Sequence, residues 1–130
     1  MTMRYCLPPD LRYSVLWTIR GYYRLKEQYE RILESSPAPP DGQPAAHSPH
    51  SVVENKAGQL AELSLKINAI EHGWDGLTGQ PETFIPEEYR RGIWQKIMTG
   101  SAFPTDAALN TYKLWKQRYT YNVAVLLHWL

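Results

Sequence analysis

Apolar side chains recur every three or four residues along four stretches of this chain, the spacing that places them on one face of an α-helix. The first stretch predicts a helix over residues 8–34 that begins near Pro8, Pro9 and Asp10, since the Asp10 carboxylate can accept hydrogen bonds from free backbone amides. Gly21 is a weak point inside this helix. The apolar stripe of this predicted helix consists of Leu11, Val15, Ile19, Tyr22, Tyr29 and Ile32.

Residues 35–50 separate this helix from the next and contain five prolines but no large apolar side chain. Because proline removes a backbone donor, and Gly, Ser and Asp favour turns, the segment is predicted to be a loop or linker. A polyproline ligand for a partner domain is the alternative, and a spacer is the favoured interpretation. The next helix is predicted over residues 51–73, where Ser51 and Glu54 have the spacing of a capping box.

Two more helices are predicted after a glycine-containing connector, over residues 86–98 and 105–129. Pro86 suits the first turn of the shorter helix, and Ser101 or Thr105 in the turn "SAFPTD" can cap the longer one. The apolar positions of these two helices are Tyr89, Ile93 and Ile97, and then Ala108, Tyr112, Trp115, Tyr119, Val123 and Leu126 or Leu127.

The four predicted helices together indicate an all-α fold. We expect the first two to form a long antiparallel hairpin closed by the proline-rich loop, packed on a C-terminal pair that resembles a helix-turn-helix. With 130 residues, 43% of them hydrophobic and 12% aromatic, the chain has the length and apolar content of one folded domain spanning residues 1–130.

The last predicted helix combines its apolar stripe with a polar side. Amide, ammonium and guanidinium groups read base edges and pair with phosphates, so this side is a candidate for binding double-stranded DNA. The alternative is an ordinary solvated face of two packed helices, and from the residues alone it is the favoured interpretation. The candidate DNA-binding residues are Asn110, Lys113, Lys116 and Gln117, with Thr111 and Arg118 at the margins.

Charge supports this location only mildly. The formal net charge of the whole chain is +1, which excludes a protein that is basic over its entire surface. Residues 86–130 carry six Lys and Arg against three Asp and Glu, whereas residues 1–85 carry eight against ten. The positive excess therefore belongs to the C-terminal third.

Four segments in order resemble the small phage and prophage proteins related to the RinA and ArpU late-gene transcriptional regulators. They are "YYRLKEQYERILESSPAPPDGQP", "LSLKINAIEHG", "IPEEYRRGIWQKI" and "FPTDAALNTYKLWKQRYTYNVAVLL". Thr111, Lys116, Ala124 and Leu126 to Leu127 match the family's pattern in its final helix. The resemblance extends over about residues 20–128, and it implies a helix-turn-helix similar to region 4 of sigma factors and a DNA-binding transcriptional regulator.

Metal and catalytic chemistry is not predicted. His47 and His50 have an H-x-x-H spacing but lie in the proline-rich loop without a third ligand. His72 is expected to act at a helix end and His128 in terminal packing, and Glu71 and Asp75 are expected to be surface carboxylates. No cofactor, no small-molecule substrate and no enzymatic activity are expected.

The remaining expectations concern compartment and partners. A single cysteine, Cys6, excludes an intramolecular disulfide. The first residues lack the uninterrupted apolar stretch that a signal peptide needs, and no run of residues is long and apolar enough to predict a membrane span. A cytoplasmic protein is therefore expected, and a second copy of the chain is a candidate partner. Because five Trp and nine Tyr are residue types favoured at interfaces, the alternative function is a helical protein-interaction module, for example a phage-borne inhibitor of a host protein.

Overall fold

The predicted first helix is divided at Gly21 into α1 (Pro9–Arg20) and α2 (Tyr22–Glu34) in the computed structural model. The Gly21 amide donates to two successive carbonyls of α1, at 3.1 and 3.2 Å, and the Leu25 amide then donates to the Gly21 carbonyl. Glycine is a poor helix former, because it loses much backbone freedom on ordering and has no side chain to pack. The division allows α1 and α2 to pack on different partners.

The structure describes residues 5–34 and 49–130, with the side chains of residues 49–54 excepted. Residues 35–48 of the predicted proline-rich loop, with His47, lie outside the described residues, and the helix that follows begins at Pro49 rather than at residue 51. The side chains of the predicted capping box, Ser51 and Glu54, are also outside what is described. Within the described ranges the chain forms five α-helices, and its only β-type pairing is an isolated bridge between Leu77 and Gln80. The predicted all-α class is confirmed.

The helical hairpin uses only the second half of the predicted first helix. α2 packs along α3 (Pro49–His72), with Leu25 and Ile67 buried between them, and the Tyr22 hydroxyl donates to the Glu71 carboxylate. α1 packs instead on α4 (Glu87–Thr99) and α5 (Leu109–Leu126). The N-terminal helix thereby becomes a third member of the C-terminal pair.

The connector between α3 and α4 is folded. It contains two 3-10 helices, Gly73–Asp75 and Pro81–Thr83. The hydroxyl of Thr83 donates to the Gln80 carbonyl at 2.6 Å and accepts from the Leu77 amide at 2.7 Å. These bonds hold the connector as a rigid layer against the core, because Thr83 is completely buried.

The core surrounds α5. Tyr119 is fully buried, its hydroxyl donates to the Ile70 carbonyl at 2.8 Å, and its ring stacks on Trp74 at a centroid distance of 3.6 Å. Tyr112 and Val123 are buried as well, so the predicted stripe is confirmed at these positions. Among the helices of the described ranges, none is long and apolar enough to cross a membrane.

The connection between α4 and α5 is longer than the sequence predicted. α5 begins at Leu109 rather than at residue 105, so residues 100–108 separate the two helices. No side chain caps the start of α5, and the Ser101 hydroxyl bonds instead with the hydroxyl of Thr99 at the end of α4. A helix-turn-helix has a turn of about three to four residues. The pair therefore has the order of that motif with an extended turn.

Gly92 allows this extended turn to lie close to α4. A Cβ atom at this position would be 2.7 Å from Pro104 and 2.9 Å from the Tyr112 ring. We expect Gly92→Ala to lower the free energy of unfolding by about 1–3 kcal/mol, since it overpacks a closely fitted contact. Urea unfolding measures this difference.

Gly58 provides the matched control, because a Cβ atom there meets nothing within 4 Å. Gly58→Ala is expected to raise the free energy of unfolding by about 0.5–1 kcal/mol, as alanine is the better helix former. Equal stabilisation by both substitutions would contradict the close approach of the turn to α4.

Candidate nucleic-acid interface

Three polar side chains of α5 are exposed together. Asn110, Lys113 and Gln117 follow one another at steps of three and four residues, so they lie on one side of the helix. Leu114 lies next to them and is also exposed. This row, which we call the α5 polar row, brings together three of the six predicted DNA-binding residues.

A cavity of about 370 Å³ adjoins the α5 polar row, between α1, α4 and α5. Four cations from three helices line it, and Lys113 and Gln117 belong both to the cavity and to the polar row. We call it the basic cavity. Its charged residues are Arg12 of α1, Lys96 of α4, and Lys113 and Lys116 of α5.

Within residues 5–34 and 49–130, no carboxylate lines the basic cavity. Lys26, Arg31, Lys66 and Arg90 form ion pairs, and these pairs lie elsewhere in the described part of the chain. The four cations of the cavity therefore repel one another without a neutralising partner among the described residues. Such an arrangement favours the binding of an anion.

Lys116 is the cation most affected by this repulsion. Its side chain is half-buried, and burial, followed by the positive charges of Lys96, Arg12 and Arg20, lowers its pKa below the ordinary value of 10.5. A positively charged group that is both desolvated and repelled by its neighbours is a marker of a functional site. An anion in the cavity would relieve both effects.

Two contacts hold the walls of the cavity in place. The Nε of Arg20 donates to the Ile97 carbonyl at 3.0 Å and so ties the end of α1 to α4. Gly100 ends α4 in the left-handed conformation, with φ of 73°, and the chain then returns so that the Lys96 ammonium lies 5.6 Å from the centre of the Phe103 ring. The extended turn thus forms one wall of the cavity.

Arg118 does not join the α5 polar row. It lies on another side of α5, where its guanidinium donates to the Glu82 carbonyl at 3.0 Å and is placed over the rings of Tyr5 and Trp115, at 5.1 and 4.9 Å. These contacts fasten the N-terminal segment and the folded connector to α5. Arg118 was predicted at the margin of the DNA-binding face, and in the structure its charged group makes these contacts instead.

Thr111 is also separated from the α5 polar row. It is partly buried and follows Asn110 by one residue, a rotation of about 100° around the helix. Thr111 and Arg118, seven residues apart, therefore share a flank of α5 about 100° from Asn110. The sequence prediction grouped six residues. In the structure, Asn110, Lys113 and Gln117 form the α5 polar row, and Lys116 lines the basic cavity beside it. Thr111 and Arg118 lie elsewhere on α5.

Arg12, Arg20 and Lys96 were not predicted as site residues. Arg12 and Arg20 lie in residues 1–85, which carry a net negative charge, and Lys96 belongs to the helix that was expected to support the recognition helix. The only signal in the sequence is that each of these cations is the immediate neighbour, in sequence, of a residue in the apolar stripe of its own helix. Their convergence depends on the packing of α1 against α4 and α5.

The other residues considered for chemistry have structural contacts. Glu71 accepts from the Tyr22 hydroxyl, and Asp75 lies 3.5 Å from the His72 ring and 3.6 Å from the Arg90 guanidinium. His128 is exposed with φ of 62°, so its predicted role in terminal packing is wrong. Among the described residues, no group of three or more His, Cys, Asp and Glu side chains is placed to hold a metal ion.

Comparisons with known proteins provide no relative for this chain. No protein-family model, no curated protein and no solved structure matches it. The resemblance to the RinA and ArpU regulators stays a prediction.

Proposed function

We propose that this protein is a DNA-binding transcriptional regulator that contacts double-stranded DNA through the α5 polar row and the rim of the basic cavity. The observation that carries this proposal is the exposure of Asn110, Lys113 and Gln117 beside four cations that have no carboxylate of the described residues among them. A duplex offers the complementary surface, since it presents a regular array of phosphates on either side of each groove.

Each group has a distinct role in this proposal. Lys113, Lys116 and Lys96 contact phosphates, which sets affinity and register without reading the sequence. Asn110 and Gln117 reach base edges, since the side-chain amides of Asn and Gln bond bidentately to adenine in the major groove. The groove is about 12 Å wide and admits one α-helix, and the N-terminal half of α5 is the segment offered to it.

The resemblance to the late-gene regulators adds the biological context. We propose regulation of transcription in a phage or prophage, carried out in the cytoplasm of the host. The extended turn between α4 and α5 distinguishes this chain from a compact helix-turn-helix. In this proposal α1 supports the pair of helices instead, through the hydrogen bond from Arg20 to the Ile97 carbonyl of α4.

A protein-interaction module is the second candidate, and one observation favours it. Tyr13 and Trp17 lie one helical turn apart on α1 and are 63% and 69% exposed. Large exposed aromatic side chains are typical of protein-protein interfaces. In this alternative the partner covers the outer side of α1, and the α5 polar row is an ordinary solvated surface.

The two candidates differ in what Asn110 and Gln117 do. We expect Asn110→Ala and Gln117→Ala each to weaken binding to a duplex from the region upstream of the protein's own gene by about fivefold to a hundredfold, because each removes a base contact worth about 1–3 kcal/mol. Binding to a scrambled duplex is expected to stay unchanged. Fluorescence anisotropy with both duplexes measures the difference.

The control is Trp17→Ala, which removes the exposed ring without altering the α5 polar row. DNA affinity is expected to change by less than about twofold, since Trp17 carries no charge and lies on the outer side of α1. If Trp17→Ala abolishes the binding of a host protein while both amide variants bind DNA like the unchanged protein, the interaction module is the correct function.

A further inference from the structure

The floor of the basic cavity is apolar, a feature that duplex DNA does not use. Leu7 is buried there, and Leu16 and Phe103 are partly buried beside it. A phosphodiester backbone contacts cations at a rim, and it has no apolar group to place against leucine and phenylalanine. The cavity therefore has two parts of different chemistry, a cationic rim and an apolar floor.

The size of the cavity is that of a ligand site. Its volume of about 370 Å³ lies within the range of about 300–1,000 Å³ that is usual for small-molecule sites, which combine apolar walls with a few polar groups. Here the polar groups are four cations together with Gln117 and the Thr120 hydroxyl, which donates to the Lys116 carbonyl at 2.8 Å.

We propose that the basic cavity binds a small organic phosphate, with the phosphate among the cations and an apolar or aromatic body on the floor. Four cations without a carboxylate favour a doubly charged phosphate monoester over a monocarboxylate, since each additional negative charge interacts with the whole cluster. The ligand is a regulatory effector. Its binding involves no covalent step.

The effector also acts on DNA binding, and this part rests on the proposed function. Lys113 and Gln117 line the cavity and belong to the α5 polar row. A phosphate held by Lys113 and Lys116 neutralises the charges that would contact DNA, so the effector and DNA compete. Binding of the small phosphate to the cavity can nevertheless be measured in the absence of DNA.

Isothermal titration calorimetry of the whole protein without DNA tests the cavity directly. The probes are phenyl phosphate, phenol and inorganic phosphate, which separate the charge from the apolar body. We expect phenyl phosphate to bind at least about tenfold more tightly than either of the other two, because only it satisfies both parts of the cavity. Equal affinity for phenyl phosphate and inorganic phosphate would overturn the proposal.

Two variants locate the binding. Leu16→Trp fills the floor and is expected to lower phenyl phosphate affinity by at least about tenfold, with inorganic phosphate affinity unchanged. Lys116→Met keeps the length of the side chain, removes a half-buried charge and is expected to lower affinity for both phosphates by about tenfold. If Leu16→Trp does not fold, the phosphate affinities of Lys116→Met test the site on their own. Unchanged phenyl phosphate affinity in Lys116→Met overturns the site.

DNA competition is measured separately by anisotropy. Saturating phenyl phosphate is expected to weaken duplex binding by at least about tenfold, while phenol leaves it unchanged. If phenyl phosphate binds the cavity and duplex binding is undiminished, the effector role is refuted and the site stands. If the protein binds phenyl phosphate and no duplex at all, the proposed function fails and the site again stands.

Discussion

Replacing both Lys113 and Lys116 with glutamate should lower the affinity for duplex DNA by about a hundredfold or more. Both lysines belong to α5 and line the basic cavity. Each substitution removes one phosphate contact and adds a negative charge that repels the phosphates. Removing a phosphate contact weakens binding to all sequences alike and reduces the salt dependence by about one unit of slope per contact. Anisotropy titrations of specific and scrambled duplexes at several salt concentrations measure both effects.

The matched control is the double variant Lys26→Glu with Lys66→Glu. These lysines belong to the hairpin of α2 and α3, where they lie near Glu71 and Glu62, and their reversal changes the net charge of the protein by the same amount. We expect DNA affinity to fall by less than about threefold, since charges distant from the interface are screened by salt. An equal loss in both double variants would mean that DNA responds to net charge alone.

Asn122→Ala is expected to lower the free energy of unfolding by about 2–4 kcal/mol. Asn122 is completely buried on α5, and its side-chain amide donates to the Gly73 carbonyl at 2.9 Å and to the Thr83 carbonyl at 2.8 Å. Removing it leaves two buried carbonyls without this donor, each costing about 1–3 kcal/mol where no water reaches it, and opens a small cavity. Urea unfolding followed by circular dichroism measures the loss.

Asn110→Ala is the control for this substitution, because Asn110 is exposed on the same helix. Its free energy of unfolding is expected to change by less than about 0.5 kcal/mol, although its DNA specificity is lost. Of the two asparagines of α5, Asn122 is thus expected to affect the stability of the fold and Asn110 the recognition of DNA. A stable Asn122→Ala variant would show that α5 is fastened to the folded connector by other contacts.

Hydrophobic periodicity predicted the buried side of each helix, because it depends on local geometry. Val15, Ile19, Ile93 and Ile97 are among the predicted stripe positions and are all buried. The division at Gly21 was not predicted as a helix boundary, since the stripe continues across it. Whether a glycine interrupts a helix depends on which partners the two halves find, and that information lies in tertiary packing.

The contacts of the folded connector were beyond the reach of the sequence pattern as well. Thr83 and Asn122 are polar residues in the core, and they are separated by 39 positions in sequence. Neither belongs to an apolar stripe. Their burial becomes understandable only when the connector lies against α5, because each then satisfies backbone groups that would otherwise be buried without partners.

The candidate site was predicted in part. Asn110, Lys113 and Gln117 were identified from their helical spacing, which depends on α5 alone. Arg118 has the right residue type in a neighbouring position, but the rings of Tyr5 and Trp115 and the Glu82 carbonyl engage its guanidinium. Spacing along one helix cannot reveal which of its cations another segment has already bound.

The salt dependence of binding to a duplex from the region upstream of the gene tests the central claim most directly. If Lys96, Lys113 and Lys116 each contact one phosphate, the logarithm of the affinity should fall with the logarithm of salt concentration at a slope of about −3, a loss of about fortyfold between 50 and 200 mM salt. A slope near zero, or no binding at low salt, would contradict the account.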